Sequence, residues 1–226
     1  QRQGVDSETV RYNGPGGPIE AYVARPKGAG PFPAILVIHE NRGLNEHTRD
    51  VARRFAAEGF IALAPDALSR RGTTAKMESV DKAREAIGTL TPAEILGDLQ
   101  AGYRRLEDAP GVDRKRISSI GFCWGGARSF TLAAEVATLY RAVVFYGSPP
   151  AEDKLAAIQC PVLGIYGEKD LRITSTVEAT LRLADRPDRR NRSRPGKTQG
   201  FRFDFRPLHS SRARILAGAA SHRVTH

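Results

Sequence analysis

The chain has 226 residues, a net charge of +10 and 40% hydrophobic residues. This length is enough for one domain with a substantial core, and no apolar run approaches the roughly 20 residues that a transmembrane helix needs. We therefore expect no membrane partner. No signal-peptide pattern is present, and the sequence leaves the choice between a cytoplasmic and an exported protein open.

The basic residues are concentrated at the C-terminus. Residues 186–226 hold eleven Arg or Lys against two Asp, whereas residues 1–185 hold 24 basic against 23 acidic side chains. We therefore predict a folded domain over residues 1–185 and a basic tail over residues 186–226. An arm that binds nucleic acid would fit this charge, but no recognisable binding module accompanies it, so we expect no nucleic-acid partner.

The sequence pattern predicts strands that alternate with helices. Apolar and polar residues alternate around a Gly-Pro-Gly-Gly turn, which predicts an antiparallel edge hairpin at 9–12 and 19–25. Continuous apolar runs predict buried strands at 34–39, 61–64, 117–122, 142–147 and 161–167. Amphipathic or capped segments predict helices at 48–58, from about 76 to 90, at 91–107 and at 127–134. This order predicts an α/β fold with a mostly parallel central sheet and helices on both faces, in which ligands bind beyond the carboxyl ends of the strands.

Cys123 lies between a predicted strand and a predicted helix, in the segment Gly121-Phe122-Cys123-Trp124-Gly125-Gly126. A residue flanked by glycines at such a junction is the nucleophile-elbow pattern, here with sulfur in place of a serine oxygen. Backbone N–H groups and the dipole at a helix N-terminus favour a thiolate, and the N–H of Trp124 would form half of an oxyanion hole. The alternative is a buried structural cysteine, which is our interpretation of Cys160.

An activated nucleophile needs a base, and the base needs an orienting acid. In the chain order of α/β-hydrolases, the acid follows the nucleophile and the histidine comes last. Asp170 follows the strand predicted at 161–167 and is the candidate acid. The alternative is an aspartate that only stabilises a turn.

Residues 8 to 185 resemble the dienelactone hydrolase family, because four separated motifs follow one another in the family's order and spacing. They are His39-Glu40-Asn41-Arg42-Gly43-Leu44, Ala64-Pro65-Asp66, Gly121-Phe122-Cys123-Trp124-Gly125-Gly126 and Gly167-Glu168-Lys169-Asp170. The resemblance implies an α/β-hydrolase fold and a Cys-His-Asp triad that hydrolyses a small ester or lactone through an acyl-thioester. It implies no metal and no organic cofactor. By this resemblance Cys123 is the nucleophile and Asp170 is the triad acid.

The resemblance also implies roles for the first motif. Glu40 matches a glutamate that interacts with the resting thiol, and Asn41 lies where the family supplies the second oxyanion N–H. Arg42 and Arg84 are candidates for binding a substrate carboxylate. Glu40 and Arg42 have the alternative of a simple ion pair in a loop. We expect His39 to be structural, because it precedes the elbow and matches no base position.

The family's histidine lies in a His-Gly-Phe segment, and the matching residues here are Gln199-Gly200-Phe201. A glutamine amide does not accept a proton at neutral pH, so His209, ten residues downstream, is the candidate substitute. A tail translated in a shifted reading frame would explain this departure, since codons permitted for residues 204–219, read one base later, encode a segment close to the family's ending. Two functions therefore stay open, an ester or lactone hydrolase and a catalytically impaired scaffold that is degenerate or only binds.

Overall fold

A computed structural model of the chain describes residues 4–167, residue 180 and the backbone of residues 203–208. The strands in these residues are β1 (Val5–Gly14), β2 (Gly17–Pro26), β3 (Phe32–Ile38), β4 (Ile61–Pro65), β5 (Val112–Phe122), β6 (Arg141–Phe145), β7 (Val162–Gly167) and β8 (Phe203–Leu208). The α-helices are α1 (Glu46–Ala57), α2 (Val80–Gly88), α3 (Pro92–Glu107), α4 (Trp124–Glu135) and α5 (Glu152–Leu155).

The strands form one sheet in the order β1-β2-β4-β3-β5-β6-β7-β8. β1 and β2 form the predicted hairpin at one edge and β2 pairs antiparallel with β4, whereas the pairs from β4 through β3 to β8 are parallel. The mostly parallel sheet is confirmed. β8 lies within the segment that we expected to be a tail, and its backbone pairs with β7.

Alternate residues of the central strands face opposite sides of the sheet. In β3, Leu36 and Ile38 pack with α3 and α4, whereas Ile35 and Val37 pack with α1. This two-sided burial explains the continuous apolar sequence of β3, because neither face of the strand reaches water. The helices therefore cover both faces, as predicted.

The start of α2 lies later in the chain than predicted, and the short helix α5 was not predicted. We expected a helix from about residue 76, but Ala67–Arg71 and Thr74–Lys76 form short 3₁₀ turns and α2 begins only at Val80. Ser79 is the N-cap of α2, because its side chain accepts a hydrogen bond from the N–H of Lys82. The capping box predicted at the start of α3 is present, with Thr91 and Glu94 bonding reciprocally. No helix in the described part of the chain is both long enough and apolar enough to cross a membrane.

Candidate active site

Cys123 is the single residue that turns the chain from β5 into α4. β5 ends at Phe122 and α4 begins at Trp124. The Cys123 backbone has φ 55° and ψ −115°, and a residue with a side chain adopts such a conformation only at a cost of about 1–3 kcal/mol. Cys123 is also exposed. A strained, exposed cysteine at the carboxyl edge of a parallel sheet has the geometry of a nucleophile elbow.

The elbow packs backbone directly against backbone. A Cβ atom at Gly121 would collide with the carbonyl group of Gly125, and a Cβ atom at Gly125 would collide with the carbonyl oxygens of Ile38 and His39 at the end of β3. Any side chain at these two positions would therefore push α4 away from the sheet. The glycines around Cys123 are required because they let the first turn of α4 lie against the end of β3.

Several backbone donors near the elbow are without a partner among the described residues, and two of them are the N–H groups of Trp124 and Asn41. Trp124 is the first residue of α4, so its N–H has no acceptor inside the helix. The N–H of Asn41, in the loop after β3, makes no hydrogen bond to another residue that the structure describes. The N–H of Cys123 itself is occupied, because it donates to the carbonyl oxygen of Phe145 at 3.0 Å. The donors that the sequence analysis names for an oxyanion hole are thus among those left without an acceptor, together with the N–H groups of Arg42 and Gly125.

Glu40 and Tyr146 connect the ends of β3 and β6. The Tyr146 hydroxyl donates a hydrogen bond to Glu40 Oε1 at 3.1 Å, and Tyr146 has a positive φ of 40°. Burial is the largest cause that raises the pKa of Tyr146 above its ordinary value of 10, followed by the Glu40 carboxylate, while Cys123 adds to the shift and the Arg42 charge opposes it. Glu40, Arg42, Cys123 and Tyr146 therefore lie close enough to interact electrostatically.

His39 is buried and both of its ring nitrogens are occupied. Nδ1 donates to the Glu40 carbonyl oxygen at 2.6 Å, and Nε2 accepts from the N–H of Ala67 at 3.1 Å. Because a carbonyl only accepts and an amide N–H only donates, the contacts fix the neutral tautomer with the proton on Nδ1. Burial lowers the pKa of His39 below its ordinary value of 6.5, and the ring stacks on Trp124 with centroids 5.5 Å apart. His39 is thus a structural residue, as the sequence predicts.

A buried carboxylate holds the loop after β3. Asp66 accepts hydrogen bonds from Thr74 N–H at 2.6 Å and from Thr74 Oγ1 at 2.7 Å. Thr74 Oγ1 in turn accepts the N–H of Leu44 at 2.9 Å. The side chain of Thr74 also occupies the space that a Cβ atom at Gly43 would need. Asp66 and Thr74 therefore attach the loop at residues 40–44 to the segment that follows β4.

Comparison with known proteins agrees with this geometry. A model of the dienelactone hydrolase family matches residues 19–186. The chain belongs to the dienelactone hydrolase family. Curated relatives from several organisms carry the name "Putative carboxymethylenebutenolidase". The one from Methylorubrum extorquens is 34% identical over 165 residues, covering 68% of this chain and 57% of that protein, so the chain spans little more than half of its length. The one from Yersinia pestis is 30% identical over 222 residues, covering 92% of this chain and 83% of that protein.

A solved structure shows the same fold. The crystal structure of a "Putative Dienelactone Hydrolase" from Klebsiella pneumoniae is 32% identical and superimposes with a TM-score of 0.72, over 80% of each chain. The predicted α/β-hydrolase fold is therefore confirmed. The dienelactone hydrolase family is a family of ester and lactone hydrolases, so the predicted enzyme class is confirmed at this level.

The two arginines expected to bind a substrate carboxylate lie in different surroundings. Arg42 is exposed and forms no ion pair with Glu40 or with another described residue, and its charge reaches Tyr146. Arg84 lies on the outer face of α2 and pairs with Asp81 at 2.8 Å. The structure thus brings Arg42 into electrostatic reach of Tyr146 at the elbow. Arg84 is instead paired with Asp81 on α2.

Asp170, Gln199 and His209 lie outside the described residues. The strands that precede the two triad candidates are described, and the last residue of β7, Gly167, pairs with the last residue of β8, Leu208. His209 is the next residue in the sequence after Leu208.

Sequence analysis gave no role to two residues at the site, Tyr146 and Thr74. Tyr146 had one detectable signal, its position at the carboxyl end of a buried strand. Thr74 had none, because it lies in a polar segment without periodicity and its partner Leu44 is 30 residues away in the sequence. The four motifs include Asp66 but not Thr74, so they did not reveal the hydrogen bonds that support the loop after β3.

Proposed function

We propose that this chain hydrolyses small esters or lactones by nucleophilic attack of the Cys123 sulfur on the substrate carbonyl carbon. The observation that carries the proposal is the strained, exposed position of Cys123 between β5 and α4. A side chain held at the end of a helix axis experiences the partial positive charge of the helix N-terminus, which favours the thiolate that attacks.

The first half of the reaction forms an acyl-thioester. The Cys123 sulfur bonds to the carbonyl carbon, and the carbonyl oxygen becomes an oxyanion that accepts hydrogen bonds from the N–H groups of Trp124 and Asn41. The oxyanion then collapses, the ester C–O bond breaks, and the alcohol leaves with the proton that the Cys123 thiol gave up to the base assigned below, His209. In a lactone the released alcohol stays attached to the acyl group. The unpartnered state of both N–H groups supports this assignment.

The second half of the reaction needs a base that activates water. We assign this role to His209, oriented by Asp170, so that water attacks the thioester and releases the acid and the thiol. The pairing of Gly167 with Leu208 supports the assignment, because the segments bearing Asp170 and His209 each follow a strand that ends at the same edge of the sheet. This is the edge at which Cys123 lies.

The charges near the elbow favour a substrate that carries a carboxylate. Arg42 is an exposed cation in electrostatic reach of Tyr146 and hence of the elbow, whereas Arg84 is already engaged by Asp81. We therefore assign substrate binding to Arg42 before Arg84. Glu40, hydrogen-bonded to Tyr146, is assigned to control of the resting thiol by its charge.

The test compares wild type with Cys123→Ala on p-nitrophenyl acetate and on a dienelactone. Cys160→Ala is the matched control, because Cys160 is the second cysteine and is buried in the core. We expect turnover that disappears in Cys123→Ala and persists in Cys160→Ala. Equal rates in wild type and Cys123→Ala would contradict the proposal.

The competing function is an impaired scaffold, and the departure at Gln199 favours it. His209→Ala, with His222→Ala as its matched control, separates the two. Turnover in wild type that falls to a single stoichiometric burst in His209→Ala supports the complete triad. A single burst in wild type means that the nucleophile acylates but the chain lacks a working base.

The division into a domain at 1–185 and a basic tail at 186–226 remains a prediction, as does the shifted reading frame. Sequencing the coding DNA through codons 180–226 tests the frame, and a single clean frame without a family-like alternative would contradict it. We assign no nucleic-acid partner to the tail. Salt-sensitive DNA binding that is lost on deletion of residues 186–226 would overturn that assignment.

A further inference from the structure

We propose that Thr74, held in place by Asp66, positions the loop at residues 40–44 and so sets the second oxyanion donor. This inference rests on the proposed hydrolase function, since an oxyanion forms only if a carbonyl is attacked. Thr74 is a positioning residue here, because it acts through the loop and not on the substrate.

The first step of the argument is that Asp66 fixes Thr74. Asp66 is 2% exposed, and its Oδ1 accepts from Thr74 Oγ1 while its Oδ2 accepts from Thr74 N–H. The same carboxylate accepts the N–H of Leu68 at 3.0 Å. A buried carboxylate that accepts three charge-assisted hydrogen bonds is a rigid anchor. The hydroxyl proton of Thr74 therefore points at Asp66, which leaves its oxygen lone pairs for an incoming donor.

The second step is that Thr74 fixes the loop. Its Oγ1 accepts the N–H of Leu44 at 2.9 Å. The N–H of Gly43 is occupied by the carbonyl oxygen of Glu40 at 3.3 Å. Two donors of the loop are thus engaged by protein acceptors, and the N–H groups of Asn41 and Arg42 are left without one among the described residues.

The third step is that Gly43 and the Thr74 side chain are in close steric contact. Gly43 has φ +77°, a conformation that glycine adopts without cost, and the Thr74 side chain occupies the position of a Cβ atom at Gly43. A loop with a side chain at residue 43 would have to move away from Thr74. The contact therefore specifies a single arrangement of the loop relative to the segment after β4.

The variants are Thr74→Val, which keeps the shape and removes the hydroxyl, and Thr74→Ser, which restores the hydroxyl. Thr89→Val is the matched control, because Thr89 also uses its hydroxyl, bonding the Ala86 carbonyl oxygen at 2.7 Å, but at the exposed end of α2. Thr74→Ala replaces Thr74→Val if the latter does not fold. Stopped-flow measurement of the p-nitrophenol burst from p-nitrophenyl acetate gives the acylation rate constant and the apparent substrate affinity separately.

Loss of a single oxyanion donor costs roughly 100- to 1,000-fold in rate. A loop that still samples the conformation in which Asn41 donates its N–H should lose less of the acylation rate. We expect Thr74→Val to acylate about 10- to 100-fold more slowly, with apparent substrate affinity changed less than about twofold. Thr74→Ser should recover most of the rate, and Thr89→Val should equal wild type. Hydrogen exchange at the Leu44 amide should become faster in Thr74→Val and return to the wild-type rate in Thr74→Ser.

The outcomes separate this inference from the proposed function. A wild-type chain without a burst that depends on Cys123 overturns both. A normal wild-type burst that is unchanged in Thr74→Val overturns only the positioning role. A loss of rate in Thr74→Val that Thr74→Ser does not restore, or that Thr89→Val shares, also overturns it.

Discussion

The hydroxyl of Tyr146 donates a hydrogen bond to the carboxylate of Glu40 across 3.1 Å. This bond joins the end of β6 to the end of β3 within electrostatic reach of Cys123. A neutral donor that holds a carboxylate in one position also fixes the direction of that charge relative to the thiol. Tyr146 thus holds in place the carboxylate to which we assign control of the resting thiol.

We expect Tyr146→Phe to speed acylation of p-nitrophenyl acetate by roughly tenfold, the factor that corresponds to about 1.4 kcal/mol. The physical reason is that a carboxylate beside a thiol disfavours the thiolate, and Glu40 without its fixed partner samples positions in which it no longer does so. Burst kinetics measure the effect. Tyr140→Phe is the control, since Tyr140 is exposed and its ring contacts Arg141. An unchanged burst rate in Tyr146→Phe would contradict the role given to this bond.

The two cysteines should differ sharply in reactivity. Burial raises the pKa of the Cys160 thiol to about 11, so at about pH 8 only about one molecule in a thousand carries the thiolate that reacts. Cys123 is exposed at the start of a helix. We expect iodoacetamide to add a single carbamidomethyl group, on Cys123, as measured by mass spectrometry of the intact chain and its peptides. Equal labelling of both residues under native conditions would show that this assignment is wrong.

Glycine substitutions should distinguish the elbow from ordinary helix positions. Gly125→Ala places a methyl group against the carbonyl oxygens of Ile38 and His39, and overpacking of this kind typically costs about 1–3 kcal/mol in the free energy of unfolding. Gly88→Ala is the matched control, because a Cβ atom there meets nothing within 4 Å and Gly88 lies in α2. We expect the control to stabilise the protein by up to about 1 kcal/mol. Urea unfolding of both variants gives the comparison, and a Gly125→Ala variant as stable as wild type would contradict the packing of the elbow.

Stability should fall as the solution becomes mildly acidic. Burial lowers the pKa of folded His39 below 6.5, so the unfolded chain binds a proton at a higher pH than the folded chain does. The stabilisation is therefore fully present above about pH 6.5 and is lost as the pH falls below that value, by up to about 1.4 kcal/mol per pH unit for one proton. Unfolding free energies between about pH 7 and pH 5 test the slope. His47→Asn, at an exposed histidine, should show the same slope of unfolding free energy against pH. A wild-type unfolding free energy that does not change over this pH range would contradict the prediction.

The elements of the fold were predictable where local sequence determines them. The capping box at Thr91 and Glu94 marks the start of α3, and the apolar run of β3 marks a strand that is buried on both faces. The start of α2 was not predictable. Residues 67–76 take their shape from hydrogen bonds to the buried Asp66 side chain, and a carboxylate that faces inward leaves no periodic pattern in the sequence.

The candidate site was also predictable only where its residues are close together in the sequence. Cys123 and its neighbouring glycines form one continuous segment, so the elbow was recognisable, and its catalytic role stays a prediction. The partner of Glu40 was not recognisable, because Tyr146 is 106 residues away in the sequence. Pairings across that distance depend on strand order in the sheet, which a single sequence does not specify residue by residue.

The contact between the Gly125 backbone and the end of β3 has a consequence for how this scaffold can change. No side chain lies between these two segments, so the location of the sulfur is determined by the spacing of the strands and not by the residues that surround the substrate. In the proposed hydrolase, replacements at Arg42 or elsewhere on the exposed rim would alter which acyl group is accepted while the sulfur stays where it is. Substrate range would then be open to redesign one rim residue at a time, with the elbow left unchanged.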